Sequence, residues 1–136
     1  MATPYQLSLG ITRRMKLPPE LRISEHELMN WCIGRLQMAQ FFVWRNNAGK
    51  LPIKDNSGNI KRMIIVGRKG VGDIIGISPN GKFCNFEIKV GYNKLSPHQE
   101  EFAEEVERRN GIHRVFRTTE ECDAFCKEYV MSRREQ

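Results

Sequence analysis

A chain of 136 residues is the size of one domain and can bury a core without a disulfide or structural metal to staple it. Its 22 lysines and arginines against 16 acids give a formal charge of +6, which favours a polyanionic partner and leaves the fold open. No apolar run approaches the roughly 20 residues that span a bilayer, so a membrane role is set aside.

Residues 1–23 hold scattered apolar side chains, a basic run at Arg13, Arg14 and Lys16 and the Pro18-Pro19 pair, and read as an extended N-terminal arm. Residues 24–136 read as a single domain. In SEHELMNWCIGRLQMAQ the apolar positions 28, 29, 32, 33, 36 and 39 have helical spacing, and Ser24 with Glu27 fits a capping box. FFVWR at 41–45 reads as a strand, and RNNAGKLPIKDNSGNIKR as a turn-rich excursion with NSGN at a hairpin tip. RMIIVG at 62–67, DIIGIS at 73–78 and KFCNFEIKV at 82–90 read as strands, the last two joined by the turn signal Pro79-Asn80-Gly81. Ser96-Pro97 opens a second helix that ends near Asn110-Gly111, where glycine suits the position after a helix end. The strand HRVFR at 113–117 and a helix from Thr119 to Met131 complete the order α, four strands, α, β, α. That order predicts an α/β fold with a central mixed β-sheet flanked by α-helices.

Cys32, Cys84, Cys122 and Cys126 lie in apolar stripes without histidines at zinc-finger spacing. With no visible secretory n-region and apolar core, they read as buried thiols of a reducing, cytoplasmic chain. Charge is uneven along the sequence. Arg45, Lys50, Lys54, Lys61, Arg62, Arg68 and Lys69 face one acid, Asp55, whereas the second helix carries Glu100, Glu101, Glu104, Glu105 and Glu107. The basic stretch can track a phosphate backbone, though lysines also protect edge strands from aggregation.

Within GVGDIIGISPNGKFCNFEIKV, strand alternation puts Cys84, Phe86, Ile88 and Val90 on one face and Asn85, Glu87 and Lys89 on the other. The apolar face must be packed, so the polar face is expected to open onto something else. Asp73 follows Gly70-Val71-Gly72, where glycines permit a close approach of backbone or substrate. Two converging carboxylates repel unless a cation lies between them, and such oxygen ligands suit magnesium or manganese. Lys89 is then a mobile charge beside the nucleophile. The alternative is an ordinary exposed strand face carrying a Glu-Lys pair. Glu25 continues the inward stripe of the first helix through Leu28, Cys32 and Leu36, and an acid there calls for a partner. Gln99 fits a capping box with Ser96, and it also precedes Phe102, Ala103 and Val106 on an inward stripe, within reach of a metal-bound water or a phosphate. The histidines are weaker: His26 and His98 sit in first turns of helices, and His113 opens a strand.

The ordered set Glu25, WRNNAG at 44–49, GVGD at 70–73, EIK at 87–89 and SPHQ at 96–99 resembles the PD-(D/E)XK nuclease superfamily. Within it, the set is similar to the small stand-alone VRR-NUC domains often encoded by bacteriophages, over about residues 24–118. The resemblance implies a restriction-endonuclease-like core. By similarity, Asp73, Glu87 and the backbone carbonyl of Ile88 are metal ligands, Glu25 completes the acidic cluster, Lys89 is the catalytic lysine and Gln99 the accessory residue. Arg45, Asn46 and Asn47 match the family's segment after the first strand and are expected to shape the site or contact DNA. The family commonly has proline before the aspartate; here Gly72 stands there.

The resemblance implies Mg2+- or Mn2+-dependent hydrolysis of DNA phosphodiesters by a Holliday-junction-resolvase-like homodimer, in a host cytoplasm if phage-encoded, with branched DNA as substrate. A flap or nicking nuclease working beside replication or repair proteins, and a non-catalytic basic DNA-binding module, are the competing expectations.

Overall fold

A computed structural model describes residues 22–47 and 49–134 of the chain. Most of the N-terminal arm, residues 1–21, lies outside the described residues. Helix α1 (Glu25–Met38) leads into β1 (Phe42–Arg45), β2 (Gly49–Lys54), β3 (Ile60–Val66), β4 (Ile74–Ile77) and β5 (Phe83–Ile88). Helix α2 (Pro97–Arg108), β6 (Ile112–Phe116) and helix α3 (Thr119–Arg134) follow.

The main sheet runs in the order β1-β4-β5-β6, antiparallel except for the parallel β5/β6 pair. It is the mixed sheet, with helices, that the element order predicts. One face packs Val43, Ile74, Cys84, Phe86, Ile88 and Phe116 against Leu28, Met29, Cys32 and Leu36 of α1 and Cys122, Phe125 and Cys126 of α3. Phe86 stacks on Phe116 at 5.2 Å between ring centroids, and Phe41 and Phe125 close around the pair. All four cysteines are buried and free, as the apolar stripes imply.

Two features depart from the sequence expectation. The excursion after β1 contains a further strand, β2, which pairs with β3 as a separate two-stranded sheet. Pro52 argues against a strand, yet both strands of a two-stranded sheet are edges, where a missing N–H is tolerated. The tip does fall at NSGN: Gly58 has φ +83°, and the Asp55 backbone N–H donates to the Asn59 carbonyl at 2.9 Å.

At the end of α2 it is Asn110, not Gly111, that takes positive φ, at 64°. Gly111 is needed for room instead: a Cβ there would stand 2.7 Å from Val106 Cγ1 and 3.0 Å from the Phe83 carbonyl oxygen.

The predicted turn at Pro79-Asn80-Gly81 forms, with Gly81 at φ +87° and the Ser78 N–H donating to the Lys82 carbonyl at 2.8 Å. It sets the β4/β5 register that aligns Ile74 with Phe86 and Ile75 with Asn85. Continued by one residue, that register brings Asp73 opposite Glu87.

Candidate functional site

The sequence expectation that the polar face of β5 opens outward is corrected by the fold: Asn85 and Glu87 are 0% and 2% exposed. The opposite face already packs on α1 and α3, so this second face is closed by α2 and by the loop before β4. Gly70 and Gly72 make that closure possible. Gly70 has φ +88°, and a Cβ on it would lie 2.1 Å from the His98 carbonyl oxygen at the start of α2. On Gly72 a Cβ would lie 2.6 Å from the Phe86 carbonyl oxygen. The glycines therefore serve a close approach of backbone to backbone, which brings Asp73 in beside β5.

Asp73 and Glu87 come together. The Ile88 backbone N–H donates to Asp73 Oδ2 at 2.8 Å, which fixes one carboxylate oxygen. Gln99 Nε2 donates to Glu87 Oε2 at 3.3 Å. The orientation of that amide follows from its other end, because Gln99 Oε1 accepts the Ser96 backbone N–H at 2.8 Å and leaves the NH2 group facing Glu87. Gln99 thus closes the capping box of α2, as its spacing predicts, and its amide also touches the buried acid. Glu87 Oε1, by contrast, is buried and has no hydrogen-bond partner among the described residues. An acceptor left unmatched there costs on the order of 1–3 kcal/mol, and protonation of Glu87 with a hydrogen bond to Asp73 relieves that cost.

Burial raises the Glu87 carboxyl from 4.5 to about 8; the charge of Asp73 and hydrogen bonding with it push the same way, Glu25 adds a smaller push, and Lys89 pulls back. Glu25 itself is exposed, on the first turn of α1, rather than part of the inward stripe. Its contribution is a charge at the rim. Glu27 closes the capping box on Ser24, with its Oε2 accepting the Ser24 N–H at 3.1 Å. Lys89 is half-buried just past β5, and its backbone N–H continues the β5/β6 ladder to the Phe116 carbonyl at 3.1 Å.

Among the described residues no three or more His, Cys, Asp or Glu side chains gather into a group able to hold a metal ion. A divalent cation here would have two carboxylates, Asp73 and Glu87, with its remaining oxygens from a backbone carbonyl such as that of Ile88, from substrate or from water. Burial and the neighbouring Asp73 charge favour the protonated form of Glu87.

No family model and no curated protein matches this sequence. Function therefore rests on the geometry of the carboxylate pair and of the charges around it.

The basic residues form a separate feature. Lys54, Lys61 and Arg62 are exposed on the β2/β3 hairpin, while the side chain of Lys50 lies outside the described residues. Lys69 is exposed, and the Arg68 guanidinium lies 5.9 Å from the centre of the Phe102 ring on α2. Arg45 and Asn47 are exposed at the hairpin's base, whereas Asn46 is turned inward: its Nδ2 donates to the Gly72 carbonyl at 3.1 Å and its backbone N–H to the Asp73 carbonyl at 2.8 Å. The acidic face of α2 is partly neutralised within the helix, where Glu105 pairs with Arg108 and Arg109.

Two residues of this region have no role in the sequence reading. Asn85 Oδ1 accepts the Gly72 N–H at 2.7 Å, and Asn85 Nδ2 contacts His113 Nδ1 at 3.0 Å. Because an N–H can only donate, the amide orientation is fixed, and Nδ2 must donate to an unprotonated Nδ1. Burial lowers the His113 pKa, which agrees with a neutral ring carrying its proton on Nε2. The available signal was that Asn85 alternates in phase with Glu87; its partner lies 28 residues away on a parallel strand, beyond any local pattern.

Proposed function

We propose that this protein is a magnesium- or manganese-dependent, structure-selective DNA endonuclease, built on the restriction-endonuclease-like core of the VRR-NUC domains that its ordered residues resemble. The observation that carries the proposal is the pairing of half-buried Asp73 with buried Glu87, whose Oε1 has no hydrogen-bond partner among the described residues. When bound, the metal supplies Lewis-acid charge and a more acidic water.

The chain's own groups have distinct tasks. Asp73, with one oxygen held by the Ile88 N–H, offers the other to the cation, and Ile88 offers its carbonyl. Gln99 holds one oxygen of Glu87 and leaves the second for the cation. Glu25 adds negative charge at the rim that favours cation entry. Lys89, a mobile point charge, orients the nucleophile and offsets charge that develops on the phosphate. Arg45, Asn47, Lys54, Lys61, Arg62, Arg68 and Lys69, with Lys50 by its place on β2, contact the DNA backbone. Asn46 shapes the site rather than reading DNA. A four-way junction needs two symmetric cuts, so the proposal includes a C2 homodimer.

The test is a cleavage panel of four-way, flap, nicked and linear DNA in Mg2+, in Mn2+ and in chelator. The expected result is cleavage of branched DNA in metal and none in chelator. Equal cutting of linear duplex removes the structure selectivity; preference for flaps or nicks favours the repair-nuclease reading. Binding without cleavage in either metal replaces the proposal with a basic DNA-binding module.

A further inference from the structure

Asn85 is an amide placed in the middle of β5, on the face it shares with Glu87, and given no exposure at all. An unpartnered buried amide is costly, so its retention calls for specific partners. Both are present. One end holds the Gly72 N–H, the group immediately before Asp73, and the other end is held by His113 across the parallel β5/β6 pair.

The backbone around Asp73 is tied at three groups. Asn85 takes the Gly72 N–H at 2.7 Å, Asn46 Nδ2 takes the Gly72 carbonyl at 3.1 Å, and the Asn46 N–H takes the Asp73 carbonyl at 2.8 Å. Of these, the first depends on a further residue. Without an acceptor at His113 Nδ1, Asn85 loses the contact that fixes its amide, and a rotated amide would present its NH2 to the Gly72 N–H, donor against donor. Gly72 has no side chain to restrain it by packing, and a Cβ there would stand 2.7 Å from Asn85 Oδ1.

We infer that Asn85, clamped by His113, is a positioning residue that holds Gly72 and thereby sets the aim of the Asp73 carboxylate. The functional half of this inference rests on the reading of Asp73 as a metal ligand; the structural half does not. His113 touches neither acid, so its effect on the site runs through Asn85.

The experiment compares the full-length wild type, His113→Leu and His113→Asn, the last retaining an acceptor near the position of Nδ1. Amide hydrogen exchange reads the structural half. In His113→Leu, protection of Gly72 and Ile88 falls at least tenfold while amides of α3 are unchanged, and His113→Asn restores most of it. Titration with MnCl2 and cleavage of a four-way junction read the functional half. His113→Leu weakens Mn2+ binding and lowers kcat about tenfold with KM for DNA unchanged, and His113→Asn recovers both to within about threefold. Unchanged protection of Gly72 and Ile88 in His113→Leu overturns the inference outright, as does equal protection loss throughout the protein. Loosened amides with unchanged Mn2+ affinity and kcat overturn the positioning role. A wild type that neither binds Mn2+ nor cuts DNA, with the local loss of protection still seen in His113→Leu, sinks the nuclease reading and leaves the clamp standing.

Discussion

Between an unfolded value of 4.5 and a folded value of about 8, the native state holds a proton on Glu87 that the unfolded chain has released. The stability this group contributes is therefore complete below pH 4.5 and is lost as pH rises through about 8. In metal-free protein, Tm is expected to fall over this window, by a free-energy change of about 5 kcal/mol at most. Glu87→Gln should flatten the curve on the alkaline side, and Mn2+ should restore wild-type stability there by taking the place of the proton. Thermal unfolding in chelator and in MnCl2 across pH checks this; an unchanged alkaline slope in Glu87→Gln contradicts it. The sign for His113 is the reverse. Burial lowers its folded pKa, so its contribution is present above about 6.5 and lost as pH falls, and this acid limb should persist in Glu87→Gln.

Where an element begins or turns was legible because the signals are local. Ser24 with Glu27, Ser96 with Gln99, and Pro79-Asn80-Gly81 each form the cap or turn that their spacing predicts. Strand β2 was not legible, since Pro52 speaks against a strand and only the edge position of β2 accommodates it. At this scale Ser96→Ala should cost about 1 kcal/mol of stability by removing the hydroxyl that accepts the Gln99 N–H, whereas Gln99→Ala should also lower cleavage because it removes the amide beside Glu87. Denaturant unfolding set beside kcat separates the two effects; an unchanged kcat would confine Gln99 to capping. On the hairpin, replacing Lys54, Lys61 and Arg62 with alanine should reduce the slope of log K against log[salt] for duplex DNA by about 0.9 for each phosphate contact removed. An unchanged slope moves the DNA surface elsewhere on the molecule.

Across the whole molecule, the sequence indicated which residues share a face better than it indicated what covers that face. Alternation in β5 correctly separated Phe86 and Ile88 from Asn85 and Glu87, but it could not show that α2 buries the second set as well. Nor does helical spacing reveal which turn of a helix still lies over the core, and Glu25 falls on an exposed first turn despite being in phase with Leu28. The Asn85 and His113 contact required the parallel β5/β6 pairing, which brings together strands separated by a whole helix. Assembly belongs to this scale too: sedimentation at micromolar concentration should give a species near twice the 15.8 kDa chain mass. A monomer that cuts one strand of a junction at a time would remove the symmetric-dimer part of the proposal. The proposed activity requires that Asp73 and Glu87 form a metal-dependent catalytic pair served by Lys89. It is tested most directly by single-turnover cleavage of a four-way junction in Mg2+ and Mn2+ with wild type, Asp73→Asn and Lys89→Ala side by side. The expected result is metal-dependent cutting by the wild type and a loss of at least a hundredfold in both variants, with folding and DNA binding retained. Asp73→Asn cutting as fast as the wild type would contradict it.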